Sequence, residues 1–164
     1  MAEVLVVGVR MQQPANQPVL LLRESAGDRY LPIWIGESEA QAIIIQQQGV
    51  EPSRPMTHDL FRDVIGALGH SLQEVRIVDL REGTFYADLV FDHDVRVSAR
   101  PSDSVALAIR MGVPIHVEES VLAEAGLLMP DDGDEESGGT LREDEVEKFK
   151  EFLDSVSPDD FKAT

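Results

Sequence analysis

The chain has 164 residues, of which 43% are hydrophobic, contains no cysteine and carries a formal net charge of −17. This length and hydrophobic share are enough for one domain with its own core. The lack of cysteine excludes disulfides, thiolate zinc sites and cysteine nucleophiles. Because the acidic charge repels nucleic acid, chemistry on a polynucleotide would need a local cluster of arginines.

The N-terminal residues 1–10 are largely apolar, with an acid at Glu3 and no basic leader, which predicts a first strand and no signal peptide. No apolar run approaches the roughly 18 residues of a membrane span. We therefore expect a cytoplasmic protein that does not enter a membrane.

The opening part of the chain predicts a three-stranded meander and a helix. Residues 2–9, 17–22 and 29–35 are rich in strand-forming residues, and turn-forming residues at 25–28 separate the last two runs. Residues 37–48 begin with two acids suited to a helix N-terminus and continue as an apolar run, which predicts a helix with a buried middle.

The central part predicts a second helix followed by three strands. Apolar residues recur at helical spacing after Thr57, the predicted N-cap, and Gly69 is the predicted helix stop. Residues 74–80, 84–91 and 95–99 contain alternating apolar positions, which are typical of half-buried antiparallel strands.

A third helix is predicted to begin near residue 101, and its interior, residues 105–109, is apolar on every side, so it should lie deep in the core. A short strand at 114–117 and a short helix at 119–125 follow. This order predicts an α+β fold, in which an antiparallel or mixed sheet is packed with helices. Since no glycine-rich phosphate loop occurs, we expect no organic cofactor.

The C-terminal part differs in charge from the rest of the chain. The predicted domain, residues 1–129, has 10 arginines against 18 acids, a net −8, whereas residues 130–164 have 4 basic residues against 13 acids, a net −9. Residues 130–139 lack apolar anchors and predict a disordered acidic linker.

Residues 140–164 predict an amphipathic helix and tail that begin with a capping box. The apolar stripe of this helix consists of Val146, Phe149, Phe152, Leu153 and Val156. We expect the stripe to bury against its own domain or a neighbouring subunit. A different hypothesis gives the acidic tail an inhibitory role, in which it covers an arginine patch in place of nucleic acid.

Polar and charged residues gather where the predicted helices begin. The second and third helices share one arrangement, an Arg-Pro pair followed by a hydroxyl residue and an aspartate. A helix N-terminus beside an arginine favours phosphate binding. The residues that we expect to bind substrate phosphate in this way are Arg54, Thr57, Arg100 and Ser102.

The aspartates at these helix starts oppose bare phosphate unless a divalent cation lies between the two. Asp59 and Asp103 are therefore candidate catalytic residues and ligands of Mg²⁺ or Mn²⁺, with Glu39 and Glu37 as further ligands. His58 is the candidate acid or base. This arrangement favours hydrolysis of phosphodiester bonds in RNA or DNA.

The same residues have a structural interpretation. Both aspartates would complement helix dipoles, both hydroxyl residues would be ordinary caps, and the arginines would pair with the aspartates to lock the helices together. The protein would then be a non-catalytic regulatory or assembly module.

The remaining histidines and the single tryptophan are weaker candidates. His93 lies between two aspartates in a predicted turn, His70 follows a helix stop, and His116 should point away from the apolar face of its strand. Trp34 should face away from its two isoleucine neighbours, in a second core layer, at an interface or as a platform for base stacking.

Four ordered motifs resemble the bifunctional nuclease domain family. They are Leu31-Pro32-Ile33-Trp34-Ile35-Gly36 with Glu39-Ala40, Arg54-Pro55 with Thr57-His58-Asp59-Leu60, Gly83-Thr84-Phe85-Tyr86-Ala87, and Ala99-Arg100-Pro101-Ser102-Asp103 before Ala106-Leu107-Ala108. The resemblance spans roughly residues 1–128. It implies an α/β fold of its own type, a homo-oligomer, and activity on both RNA and DNA.

The sequence departs from the family pattern in two places. Ser104 stands where alanine is more usual, and the tail lacks the basic helical hairpin that some bacterial members append. The second departure argues against a separate nucleic-acid-binding appendage.

Overall fold

The computed structural model describes residues 1–129. The predicted linker, residues 130–139, and the predicted terminal helix, residues 140–164, lie outside the described residues. The described chain forms one eight-stranded mixed sheet with four α-helices, which confirms the α+β prediction.

Two three-stranded antiparallel meanders make up most of the sheet. The first consists of β1 (Ala2–Gln12), β2 (Gln17–Glu24) and β3 (Arg29–Trp34), as predicted. The second consists of β4 (Leu72–Arg81), β5 (Thr84–Phe91) and β6 (Arg96–Ala99).

A short strand joins the two meanders into one sheet. β7 (Ile115–Val117) lies between them, antiparallel to β1 and parallel to β4, and β8 (Leu127–Leu128) adds to the outer edge of β3. The strand order is β6-β5-β4-β7-β1-β2-β3-β8. The parallel pair makes the sheet mixed, because the chain returns through a helix before it enters β7.

Four helices accompany the sheet: α1 (Glu37–Gln47), α2 (Thr57–Ala67), α3 (Pro101–Met111) and α4 (Glu119–Ala125). α3 packs against α1, α2, β4 and β5 and buries eight of its 11 residues, so the prediction of a core helix is confirmed. Since α3 contacts both other long helices, it holds their starts close to its own.

Two predicted helix caps were wrong by one or two residues. Met56, and not Thr57, caps α2, and its backbone N–H donates to the carboxylate of Asp59. Arg100 caps α3, so Ser102 lies inside the first turn. The Pro that follows Arg100 suits the first helical position, where no N–H is needed, and this moves the cap to the residue before it.

The main core lies between the sheet and the helices. Leu20, Leu22 and Ile33 from the first meander, Val75 from the second and Val105 from α3 are among its buried members. None of the helices in residues 1–129 is long and apolar enough to cross a lipid bilayer.

Candidate functional site

The starts of the three long helices converge on one polar cluster. Glu39 lies in the first turn of α1, His58 in that of α2, and Asp103 in that of α3, with Arg100 as the α3 cap. His58 Nε2 lies 2.9 Å from Asp103 Oδ1, and Arg100 Nη2 lies 2.8 Å from both Asp103 Oδ2 and Glu39 Oε1. The predicted grouping of helix starts is therefore present for these four residues.

Arg100 is the member of the cluster whose side chain is exposed to solvent. Its side chain is 65% exposed, while that of Glu39 is 16% exposed. The hydrogen bonds to Glu39 and then to Asp103 raise the pKa of Arg100 above its ordinary value. Arg100 is thus a permanent cation at the surface, held in place by two carboxylates.

His58 and Asp103 form a partly buried pair across α2 and α3. The contact uses Nε2 of His58, and the side chain of His58 is 16% exposed. In neutral histidine, an N–H at Nε2 that donates to Asp103 leaves Nδ1 with the lone pair. The pair therefore has the geometry of a base whose ring is oriented by a carboxylate.

Three of the sequence motifs meet at a cleft of about 350 Å³ beside this cluster. The cleft is lined by residues 34–36 at the end of β3, 83–85 at the β4–β5 turn and 100–102 at the start of α3. His58, Asp103 and Glu39 are not among its lining residues. Of the polar cluster, Arg100 is the member that lines the cleft. Its guanidinium contacts Glu39 and Asp103, and Asp103 in turn contacts His58.

Backbone geometry places Thr84 at the cleft. Glu82 and Gly83 have positive φ angles of 48° and 77°, as in the two-residue hairpin turns that favour glycine. The sequence reasoning assigned no role to Gly83 and Thr84, although both belong to a motif of the resemblance. Ser102, a predicted phosphate ligand, is 6% exposed and lines the same cleft.

Asp59 faces a different partner from Asp103. Its Oδ1 accepts a hydrogen bond of 2.8 Å from Arg110 Nε, and its Oδ2 accepts one of 3.1 Å from the Met56 N–H. The Arg110 side chain is 1% exposed, and its Nη atoms donate to the carbonyls of Ala106 and Ala42. Asp59 and Arg110 thus form a buried ion pair that ties α2, α3 and α1 together.

Burial opposes ionisation of Asp59, but Arg110 and the Met56 N–H outweigh it and lower the pKa of this carboxyl. Sequence reasoning missed Arg110. The available signal was an arginine directly after the apolar interior of α3, where burial of its charge favours an acidic partner.

The start of α2, which follows the first Arg-Pro pair, borders a second cleft. Arg54 and Thr57 are exposed, and Arg54 makes no ion pair within residues 1–129. Pro55, Asp59 and Arg62 line this second cleft of about 340 Å³, which has no lining residue in common with the first. The N-termini of α2 and α3 therefore border different clefts.

Within residues 1–129 no three acids or histidines are grouped as a complete cation site. Asp59 is held by Arg110, so it does not join Glu39 and Asp103. The Glu39 and Asp103 oxygens each lie 2.8 Å from Arg100 Nη2, so no more than twice that distance separates the two oxygens. These two carboxylates are the part of the predicted metal set that the fold brings together.

The other histidines lie away from the first cleft, whereas Trp34 is one of its lining residues. His93 lies in the turn after β5 with a positive φ of 56°, and His70 Nδ1 is 3.1 Å from Asp92. His116 contacts Glu74 and points away from the main core, as predicted. Trp34 packs on the face opposite the main core, which confirms its predicted orientation, and its Nε1 donates to Gln12.

The sequence of this chain matches a known family of proteins. A family model described as the Bifunctional nuclease domain matches residues 20–130. An uncharacterized protein of Mycobacterium tuberculosis, found in two strains, is 76% identical over 164 residues, which is 100% of both chains.

Plant proteins are more distant relatives. Bifunctional nuclease 2 of Oryza sativa subsp. japonica is 28% identical over 127 residues, which is 73% of this chain and 39% of the rice protein. Bifunctional nuclease 2 of Arabidopsis thaliana is 26% identical over 124 residues, which is 72% of this chain and 38% of the Arabidopsis protein. The chain spans less than half the length of these plant proteins.

Proposed function

Because this chain belongs to the bifunctional nuclease domain family, we propose that it hydrolyses phosphodiester bonds of RNA or DNA at the cleft beside Arg100. The observation that carries the proposal is the exposed Arg100 guanidinium at the cleft, backed by the His58–Asp103 pair. A guanidinium is suited to bind phosphate oxygens in a bidentate manner.

Ser102, Thr84 and Trp34 supply the other functions that a nucleic-acid cleft needs. The Ser102 and Thr84 hydroxyls are available as hydrogen-bond donors to phosphate or sugar oxygens, and both residues line the cleft. Trp34 lines the same cleft, and its ring offers a stacking surface for a base. Arg54, exposed beside the second cleft, is the proposed outer contact for a longer strand.

His58 is the proposed acid or base of the reaction. Asp103 holds the ring through Nε2, and the charge of Asp103 stabilises the imidazolium that forms when Nδ1 takes a proton. His58 would take the proton of the attacking water as its oxygen bonds to phosphorus, and would return that proton to the leaving oxygen as the scissile P–O bond breaks, while Asp103 balances the imidazolium charge in between.

A divalent cation fits the acids that lie beside this pair. Mg²⁺ is often held by one or two carboxylates together with water and substrate phosphate, so Glu39 and Asp103 are sufficient in number. When bound, such a cation would polarise the phosphate and stabilise its developing charge. With both carboxylates engaged, Arg100 would be free to turn its guanidinium toward the phosphodiester.

The test is cleavage of end-labelled single-stranded RNA and DNA by the purified full chain, with Mg²⁺, Mn²⁺ or a chelator. His58→Asn should lower the rate about 10²–10⁴-fold, the usual contribution of a general acid or base. His70→Asn is the matched control, because His70 also contacts an aspartate but lies apart from the cleft. It should retain full activity.

Arg100→Gln should lower kcat/KM on both substrates, whereas Arg76→Gln, which removes an arginine paired with Glu74 outside the cleft, should not. Equal cleavage by the wild type and by His58→Asn would refute the catalytic assignment and point to a contaminating nuclease.

A non-catalytic assembly role is the second candidate, and the buried Asp59–Arg110 pair favours it, because that part of the helix starts is structural. In that case His58→Asn and Arg100→Gln would change the melting temperature or the oligomeric state, and no preparation would cleave nucleic acid under any metal condition.

Homo-oligomer formation is part of the proposal. α2, which carries His58, leaves a stripe of large apolar side chains exposed, and such contiguous surfaces are typical of protein interfaces. The stripe consists of Met56, Leu60, Phe61, Val64 and Leu68. A second copy of the chain is the proposed partner, as the family resemblance implies.

A further inference from the structure

The cleft beside Arg100 is small for a nucleic-acid site. Its volume of about 350 Å³ lies near the lower limit of the roughly 300–1,000 Å³ that pockets for small molecules have. Trp34 lines it from the end of β3, Thr84 from the β4–β5 turn, and Arg100 and Ser102 from the start of α3. A base stacked on Trp34 and a phosphate bound to Arg100 would occupy most of this space, so the rest of a longer strand must lie outside it.

Arg100 is the single charged residue of the range 1–129 that lines this cleft. It contacts the carboxylates of Glu39 and Asp103, so the three residues combine one positive charge with two negative charges, a net −1. The affinity of a protein for a long polynucleotide normally depends on the neutralisation of several phosphates. One guanidinium at the cleft supplies one contact of this kind.

The other arginines do not extend the cleft. Six of the ten arginines in residues 1–129 form ion pairs with acids, and none of the remaining four lines the cleft. Those four are Arg10, Arg23, Arg54 and Arg96, which lie on β1, on β2, before α2 and on β6. Because residues 1–129 also carry a net charge of −8, the described surface offers a long strand little attraction.

Two acidic residues flank the cleft, and we call Glu37 and Glu82 the acidic rim. Each is the direct neighbour in sequence of a glycine that lines the cleft, and both are exposed. Consecutive Cα atoms are 3.8 Å apart, and charges act over about 8 Å at physiological ionic strength, so both carboxylates act on phosphates at the mouth of the cleft. Arg81, which precedes Glu82, does not offset this charge because it is paired with Asp79.

We propose that the preferred substrates are short oligonucleotides of about two to four nucleotides, and that the acidic rim disfavours longer strands. In a dinucleotide, the phosphate between the two bases binds Arg100 while one base stacks on Trp34, and no further phosphate approaches the rim. Each added nucleotide brings one more negative charge toward Glu37 and Glu82. A longer strand that reaches Arg54 therefore binds and reacts less readily than a short one.

This inference rests on the proposed function for the reaction, whereas the preference for short strands is also measurable as binding. Hydrolysis of a dinucleotide consumes one water and yields one nucleoside and one nucleotide, which chromatography separates.

The first test compares substrate lengths with the purified full chain at one Mg²⁺ concentration. The substrates are a dinucleotide, a tetranucleotide and a strand of about 20 nucleotides, which exceeds the roughly 4–16 nucleotides that a strand-tracking fold covers. Counted per phosphodiester bond, kcat/KM should be at least about tenfold higher for the two short substrates, within the range by which local charge changes association rates. An equal or higher value for the long strand would overturn the proposal.

The acidic rim has its own variant and control. Glu82→Lys should raise kcat/KM for the long strand severalfold and leave that for the dinucleotide unchanged. Glu124→Lys makes the same change in net charge at an exposed position of α4, a helix that contributes no lining residue to the cleft, so it should change neither value. Equal effects of the two variants on the long strand would overturn the role of the rim.

Binding separates the length preference from the reaction. Trp34 is the single tryptophan of the chain and lines the cleft, so its fluorescence reports a stacked base without a label. In His58→Asn, which should cleave too slowly to interfere, the dinucleotide should quench Trp34 at phosphodiester concentrations no higher than those that the long strand requires.

The outcomes of this titration distinguish the two proposals. If the dinucleotide quenches Trp34 as expected and the wild type cleaves no strand, the hydrolysis proposal fails and the class of ligand stands. The preference for short strands fails, whatever the chain cleaves, if the dinucleotide does not quench Trp34. It also fails if the long strand binds more tightly and its affinity falls with salt as steeply as roughly six or more phosphate contacts require.

Discussion

The buried pair of Asp59 and Arg110 allows a sharp separation of structural from catalytic roles. Asp59→Ala leaves the Arg110 guanidinium in the interior without its carboxylate, and loss of one partner from a buried pair costs about 3–5 kcal/mol. The side chain of Asp59 is 11% exposed and lines the second cleft, so solvent relieves part of this cost. We therefore expect a loss near the lower limit, about 3 kcal/mol.

A loss of about 3 kcal/mol should lower the melting temperature by roughly 10 °C in a domain of this size. Urea unfolding followed by circular dichroism measures the free energy directly, and the slope of the transition should stay unchanged. Asp63→Ala is the matched control, since its ion pair with Arg62 lies on the surface, and it should change stability by less than about 1 kcal/mol.

The double variant Asp59→Ala/Arg110→Met completes the cycle. It should be less destabilised than the sum of the single changes, because it leaves no uncompensated charge. The reasoning would be refuted if Asp59→Ala unfolded at the wild-type urea concentration and yet abolished cleavage of nucleic acid. That outcome would make Asp59 a catalytic or metal-binding residue.

Three further changes test the pH dependence of the Asp59 contact, a buried hydroxyl of α3 and the exposed apolar face of α2. The lowered pKa of Asp59 stabilises the fold at pH values above the carboxyl's ordinary value of 3.8, and this contribution is lost as the pH falls through the lower folded-state pKa. In Asp59→Asn, the free energy of unfolding, measured with urea at several pH values, should therefore decrease less as the pH falls in the acidic range. Ser104→Ala removes a buried hydroxyl that donates to the Arg100 carbonyl, and urea unfolding should show a loss of about 0.5–1.5 kcal/mol. Phe61→Ser with Leu68→Ser on the exposed face of α2 should lower the molar mass measured by sedimentation without loss of folded structure, and an unchanged mass would exclude this face as the homotypic contact.

Local patterns determined which elements form. The alternation at Val75 and Ile77 predicted a strand, and the apolar interior of α3 predicted a buried helix, and both are present. These features depend on backbone preferences and on periodic burial, which are written in short stretches of sequence. Gly112 ends α3 because its φ of +66° is one that glycine adopts without strain.

Tertiary structure alone decided which similar residues share a site. Arg54 and Arg100 each precede a proline at the start of a helix. Arg100 nevertheless lies with Glu39 and His58 near one cleft, while Arg54 is exposed near another. Asp59 and Asp103 likewise have the same local setting, but Asp59 turns to Arg110, 51 residues further along the chain. Pairing between distant residues depends on how α2 crosses α3, and no local pattern of charge or spacing encodes that crossing.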